Sequence, residues 1–163
     1  MKILSVDDKA ENLYLLESVL RSFGYEVVSA HNGIEALEQL EADRFDLIIA
    51  DILMPQMDGF ELCHRIKQHE VLRNIPLVFY TAACTEKKDA EWGLRLGASR
   101  FSINPVEPEK FVAIIRDVIR DHEAGRLPAT PPLSEQEEVL LKEYNQRLVR
   151  KICSSCKEAY RPN

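Results

Sequence analysis

Five short apolar runs alternate with helical patterns along most of this chain, and that alternation limits what it can fold into. Residues 3–6, 26–30, 46–50, 77–80 and 100–103 read as strands. Two of the runs are nearly continuous in apolar residues. Such strands are buried on both faces, as in a parallel sheet covered by helices. Between them, Leu13, Leu16, Leu20 and Phe23 fall at steps of three and four and make one helical stripe. Phe111, Ile115 and Val118 do the same, and Pro108 suits the first turn of their helix. Helices are also expected near residues 34–41 and 59–68. Gly24 and Gly97 read as helix stops. Alternating strands and helices imply right-handed crossovers and a doubly wound α/β sheet with helices on both faces. Five strands in about 120 residues favour the strand order 2-1-3-4-5, with ligands bound where the winding reverses.

The remainder has a different composition. Residues 125–133 carry three prolines and read as a linker. Ser134 with Glu137 is a capping-box pattern opening a helix over 134–152, and residues 153–163 read as a frayed tail. The expected organisation is therefore a domain over 1–124, a linker over 125–133, a helix over 134–152 and a tail. In the last helix Leu141, Tyr144 and Leu148 form a seam that resembles a short coiled coil and offers a route to a homodimer. The plain alternative is an amphipathic helix folded back on its own domain. Cys153 and Cys156 have the spacing of half a zinc site, but no second pair follows.

Net charge is −6 over 163 residues, which argues against duplex DNA or an anionic membrane as the main partner. No segment reaches the ~18 uninterrupted apolar residues of a membrane span, and the N-terminus lacks a signal-peptide pattern. The cytoplasm is the expected compartment. The four cysteines do not resemble a disulfide framework.

Asp7 and Asp8 end the first strand and Asp51 ends the third. In the expected order these strands are neighbours, so three carboxylates meet at one sheet edge. Their repulsion is met by a divalent cation, and an all-oxygen donor set favours magnesium or manganese. Asp51, alone at the end of the central strand, is the candidate nucleophile toward a phosphoryl group. Asp7 and Asp8 are the candidate metal pair. The hydroxyl of Thr81 ends the fourth strand and is placed to donate to a phosphoryl oxygen. Any one such aspartate is more simply read as a turn or cap residue. All of them at one edge make a site.

These residues resemble the bacterial response-regulator receiver family across about residues 1–122. The resemblance rests on Val6-Asp7-Asp8, on the stretch from Asp46 to Gly59 with Pro55 and Asp58, on Thr81-Ala82, and on Gly97-Ala98 followed by Phe101. It implies a flavodoxin-like fold and phosphotransfer to Asp51 from a histidine kinase or phosphotransfer protein. It implies metal binding by Asp8 and Asp51, by Asp7 through water and by the Leu53 backbone carbonyl. Thr81 and Phe101 would be the switch pair that remodels the surface of helix four, strand five and helix five. That surface would address an attached or separate output domain, or a second copy of the chain. Enzymatic activity would be limited to self-phosphotransfer and slow self-dephosphorylation.

One departure stands out. The family carries lysine before the proline after strand five, and here the pair is Asn104-Pro105. Asparagine is shorter and neutral, so either phosphorylation persists with a weakened or rewired response, or the domain is a phosphorylation-independent interaction scaffold. The same resemblance makes the Asn104-Pro105 bond a candidate for cis. A metal-dependent phosphatase with a covalent aspartate is a third reading, but such enzymes carry Asp-x-Asp after the first strand. No helix-turn-helix, cyclase or kinase signature follows residue 124, so the chain reads as a regulatory module of a larger protein.

Overall fold

The apolar runs form β1 (Lys2–Val6), β2 (Glu26–Ala30), β3 (Leu47–Ala50), β4 (Leu77–Thr81) and β5 (Arg100–Ile103). They are joined into one parallel sheet of order β2-β1-β3-β4-β5. The structure is a computed structural model. It describes residues 1–82, 86–126 and 129–159, and residues 149–159 for their backbone alone. The helices are α1 (Ala10–Ser22), α2 (Gly33–Ala42), α3 (Gly59–Gln68), α4 (Lys87–Arg95), α5 (Pro108–Glu123) and α6 (Glu135–Ala159). The fold is the expected doubly wound one, with element ends differing from the sequence expectation by a residue except in α6.

Alternate strand residues face opposite sides of the sheet. Ile3, Leu47, Ile49 and Val78 point toward Leu20 of α1 and Phe111, Ile115 and Val118 of α5. Leu4, Val6, Ile48 and Phe79 point the other way, into a larger core with Ala36, Phe60, Ile66, Trp92 and Leu96. Phe23 departs from its expected stripe and is 38% exposed, because α1 stops at Ser22 and Phe23 is already its C-cap. Arg116 lies over its ring instead. Gly97 follows α4 at φ +114, a conformation L residues rarely adopt. The Asn104-Pro105 bond is cis.

The C-terminal helix corrects two expectations. It does not end near residue 152 but continues to Ala159, since residues 153–159 contain neither proline nor glycine. Its seam is not free for a coiled coil. Leu141, Tyr144 and Leu148 are 4%, 6% and 3% exposed and belong to the larger core. The helix has folded back into the groove between α3 and α4, because that groove presents aromatic rings to the same stripe a coiled coil would use. The capping box forms as expected: Glu137 N–H donates to Ser134 Oγ and Ser134 N–H to Glu137 Oε1. Arg95 of α4 pairs with Glu137 at 2.8 Å and donates to the carbonyls of Pro131 and Pro132. These contacts anchor the approach to α6.

Candidate functional site

Strand register brings the acidic residues together. Val6 pairs with Ala50, and the Asp51 N–H donates to the Val6 carbonyl at 2.9 Å. Asp7 and Asp8 therefore leave β1 beside the point where Asp51 leaves β3. One carboxylate oxygen from each of Asp7, Asp8 and Asp51 lies within 4.8 Å of the others. Asp7 is held by the start of α1: Lys9 N–H donates to one oxygen and Asn12 Nδ2 to the other, at 2.9 and 3.1 Å. Asp51 accepts from its neighbour Ile52 N–H at 2.8 Å and from the Thr81 hydroxyl. Gly59 presses on the same loop so closely that a Cβ there would collide with the Asp51 carbonyl. That explains glycine at this position.

The cluster is electrostatically uncomfortable. Burial pushes the Asp7 carboxyl up to about 6, with the Asp51 charge adding to it. Burial also raises Asp51, against the lowering effect of the Thr81 and Ile52 hydrogen bonds. One oxygen of Asp8 is buried with no hydrogen-bond partner among the described residues. An orphaned carboxylate oxygen beside two more carboxylates is the donor set a hard divalent cation requires, so the residues fit a magnesium ion.

Thr81, 1% exposed, sits at the end of β4 opposite Ile103. Phe101 lies on β5 opposite Phe79, its ring 5.9 Å from the Phe79 ring and partly buried. Leu53 follows Asp51 by two residues, with its side chain packed on the larger core. Asn104 leaves β5 at the same edge, its N–H donating to the Thr81 carbonyl. Its side chain turns to Tyr80, whose hydroxyl donates to Asn104 Oδ1 at 2.9 Å. A cavity of 240 Å³ opens here between α1 and α5, lined by Asp7, Asn12, Leu16, Asp51, Tyr80 and Asn104 among others.

A sequence model described as the response regulator receiver domain matches residues 3–116. The chain belongs to the receiver family. Among curated relatives, the Bacillus subtilis alkaline phosphatase synthesis transcriptional regulatory protein PhoP is 35% identical over 122 residues, covering 75% of this chain and 50% of PhoP. The response regulator PleD of Caulobacter vibrioides is 39% identical over 119 residues, covering 73% of this chain and 26% of PleD. The chain thus spans about half the length of PhoP and less of PleD. Among solved structures, the Vibrio cholerae chemotaxis protein CheY4 is 32% identical with a TM-score of 0.68, covering 72% of this chain and 97% of CheY4. The receiver domain of the sensor histidine kinase PA1611 from Pseudomonas aeruginosa is 30% identical with a TM-score of 0.67. It covers 73% of this chain and 97% of its own, and it holds a magnesium ion coordinated in its active-site cleft. Receivers are signalling modules of two-component systems, and this chain has their flavodoxin-like fold.

Within this receiver, the structure unites Asp7, Asp8, Asp51 and Thr81, and brings Asn104 to the same cavity. Sequence reasoning missed Asn12 and Tyr80, which hold Asp7 and Asn104. It also missed Asp89, which is 7% exposed and accepts from the Tyr144 hydroxyl at 3.0 Å. Trp92 is 7% exposed and stacks on Tyr144, so it packs rather than presenting a free surface. Cys63 is buried, and burial pushes its thiol up to about 12, which leaves it inert. Cys84 and the side chains of Cys153 and Cys156 lie outside the described residues. No helix among the described residues is long and apolar enough to cross a membrane.

Proposed function

We propose that this receiver accepts a phosphoryl group on Asp51 from a phosphohistidine of a histidine kinase or phosphotransfer protein. The observation that carries the reading is the meeting of Asp51 with Asp7, Asp8 and the Thr81 hydroxyl at the carboxyl edge of the sheet. An Asp51 oxygen attacks phosphorus, the P–N bond breaks, and imidazole leaves with the nitrogen electron pair. Asp8 and Asp51 would hold magnesium or manganese, with Asp7 and the Leu53 carbonyl contributing, and such an ion would supply charge neutralisation to the transferring oxygens. Thr81 then donates to a phosphoryl oxygen, and Phe101 responds as its partner in the switch.

Asn104 takes the place of the usual lysine with a neutral donor. Tyr80 donates to its Oδ1, and that leaves Nδ2 as the group available to a phosphoryl oxygen. The cost relative to a charged contact is about 1–2 kcal/mol. Asn104→Lys is expected to strengthen the link between loading and the output surface, and an unchanged response of that surface would count against this. The reading takes residues 1–124 as the receiver and 125–133 as its linker, and places the chain in the cytoplasm. Signal output passes through α4, β5 and α5 to an output domain or to a second copy. The exposed Leu94 and Ile103 support that face over the buried α6 seam as a dimer contact.

Magnesium titration with and without beryllium fluoride, a stand-in for the aspartyl phosphate, tests this. Metal-dependent amide shifts that spread from Asp51 to Phe101 are expected. Shifts confined to the pocket would break the link to output. No binding would leave the phosphorylation-independent scaffold, the second reading, which the neutral Asn104 in place of lysine favours.

A further inference from the structure

Two consecutive residues of α6 reach the two segments that leave the acidic site. Asn145 Oδ1 accepts from the Asp58 N–H at 3.2 Å, on the loop that begins at Asp51. The Tyr144 hydroxyl donates to the Asp89 carboxylate at 3.0 Å, on the helix that follows Thr81. Both Asp58 and Asp89 are buried. The Tyr144 ring fills the space between them. It meets Phe60 of α3 edge-on at 5.2 Å and stacks on Trp92 of α4 at 6.0 Å and 12°.

The contact continues inward through rings. Phe60 meets Phe79 at 5.5 Å, and Phe79 meets Phe101 at 5.9 Å. A Cβ on Gly93 of α4 would come within 3.2 Å of both Phe79 and Phe101, so that helix rides directly on the pair. Close-packed rings do not yield gradually; a shift in one is passed on or resisted.

We propose that the groove between α3 and α4 is a docking surface for α6 whose occupancy opposes phosphoryl loading of Asp51. The inference rests on the phosphoacceptor reading given above. Thr81 donates to the Asp51 carboxylate itself. A phosphoryl group on that oxygen puts the acceptors further out, so Thr81 and the start of α4 must re-aim. Asp51 and the carbonyl of Leu53 lie on the loop that runs to Asp58, so a metal held there would draw on that loop. Docked α6 ties both segments to one rigid helix and resists their relative movement. Binding linkage is reciprocal: whatever factor docking takes from loading, loading takes from docking. Loading therefore releases α6, and the freed stripe of Leu141, Tyr144 and Leu148 becomes the signal.

The test uses the full chain. Beryllofluoride affinity at fixed magnesium is read by fluorine NMR. Hydrogen exchange of the α6 amides is followed with and without the ligand. Two undocking variants are used: Tyr144→Ala, and the milder Tyr144→Phe/Asn145→Ala pair, which keeps the ring and removes both hydrogen bonds. Val139→Ala, on the exposed side of α6, is the control. Beryllofluoride is expected to speed α6 exchange in the native chain, and both undocking variants should bind it about fivefold or more tightly than native, with the control unchanged. Equal affinity in all forms with unaltered exchange would overturn the linkage, and weaker binding by the undocked variants would overturn its sign. Loading that fails in every variant would overturn the phosphoacceptor reading together with the linkage. That outcome differs from the others because no fluorine signal of a bound species would appear.

Discussion

The acidic edge of the sheet and the α6-covered face solve opposite problems with the same kind of residue. At the edge, Asp7, Asp8 and Asp51 crowd one another, and an Asp8 oxygen has no hydrogen-bond partner among the described residues. On the covered face the Asp89 carboxylate is more deeply buried, at 7% exposed, but meets the Tyr144 hydroxyl. The first arrangement destabilises the fold and is suited to a cation and a phosphoryl group. The second stabilises the fold and is suited to holding a helix. What sets the reactive edge apart is the crowding of three carboxylates with one oxygen left without a donor among the described residues.

The contrast predicts opposite signs for mutations in the two places. Tyr144→Ala carries the largest effect. It empties a ring-lined site and leaves Asp89 buried without its donor, so docking of α6 should weaken by about 3–4 kcal/mol. Loss of exchange protection over 135–148 and a red-shifted Trp92 emission would report it. Trp92 emission that stays native in the variant would break the comparison, because the ring would then contribute nothing to the closed face.

The two regions also differ in how far the sequence announced them. Each acidic residue ends an apolar run, so the periodicity that located the strands also located Asp7, Asp8 and Asp51. Parallel order then brought β1 and β3 together without any long-range information. The covered face has no such local signature. The stripe Leu141, Tyr144, Leu148 serves a coiled coil and a self-docked helix equally well, since both ask only for apolar residues at three and four. What decides between them is Tyr144 meeting Asp89 and Asn145 meeting Asp58, partners far apart in the chain. The contact of Tyr80 with Asn104 was hidden for the same reason, although Asn104 itself was conspicuous as a departure from the family pattern.

Asp58 stands where the two regions touch and sharpens the contrast through pH. It caps α3 by accepting from Glu61 N–H at 3.0 Å, while its other oxygen is buried with no hydrogen-bond partner among the described residues. Burial pushes its carboxyl up to about 7. An unfolded chain loses this proton near pH 4. Between those values the folded chain keeps a proton the unfolded chain has shed, so its contribution to stability falls as pH rises from about 4 to 7. Asp58→Asn keeps a capping acceptor and removes the charge. The variant should gain about 2 kcal/mol over native at pH 8 and match it near pH 4, read from urea midpoints. A parallel pH profile in both proteins would show that the cap, not the buried charge, governs this position.

A smaller gain is expected from Asp51→Asn at the edge itself. Burial raises the Asp51 carboxyl, so its charged form costs the fold at neutral pH. Without divalent cations the amide should stabilise the protein, by less than Asp58→Asn does. Saturating magnesium should reverse the order, since the native site gains the ion and the variant loses a ligand. A variant less stable than native in chelator would mean that the Thr81 and Ile52 hydrogen bonds outweigh the cost of burying the charge.

Tyr80→Phe should have the smallest effect on the fold, under about 1 kcal/mol, because it removes one hydroxyl at the rim of a cavity. Its consequence lies at the site. The Tyr80 hydroxyl gives its proton to Asn104 Oδ1. That bond sets which end of the amide faces the acidic pocket. Without it the amide is free to present its oxygen, which a phosphoryl group would repel. Beryllofluoride affinity should fall about two- to threefold in Tyr80→Phe, a coupling of under 1 kcal/mol. In an Asn104→Ala background the same change should do nothing, because there is no amide to orient. An equal loss in both backgrounds would mean that Tyr80 acts through the cavity wall and its packing on Phe111.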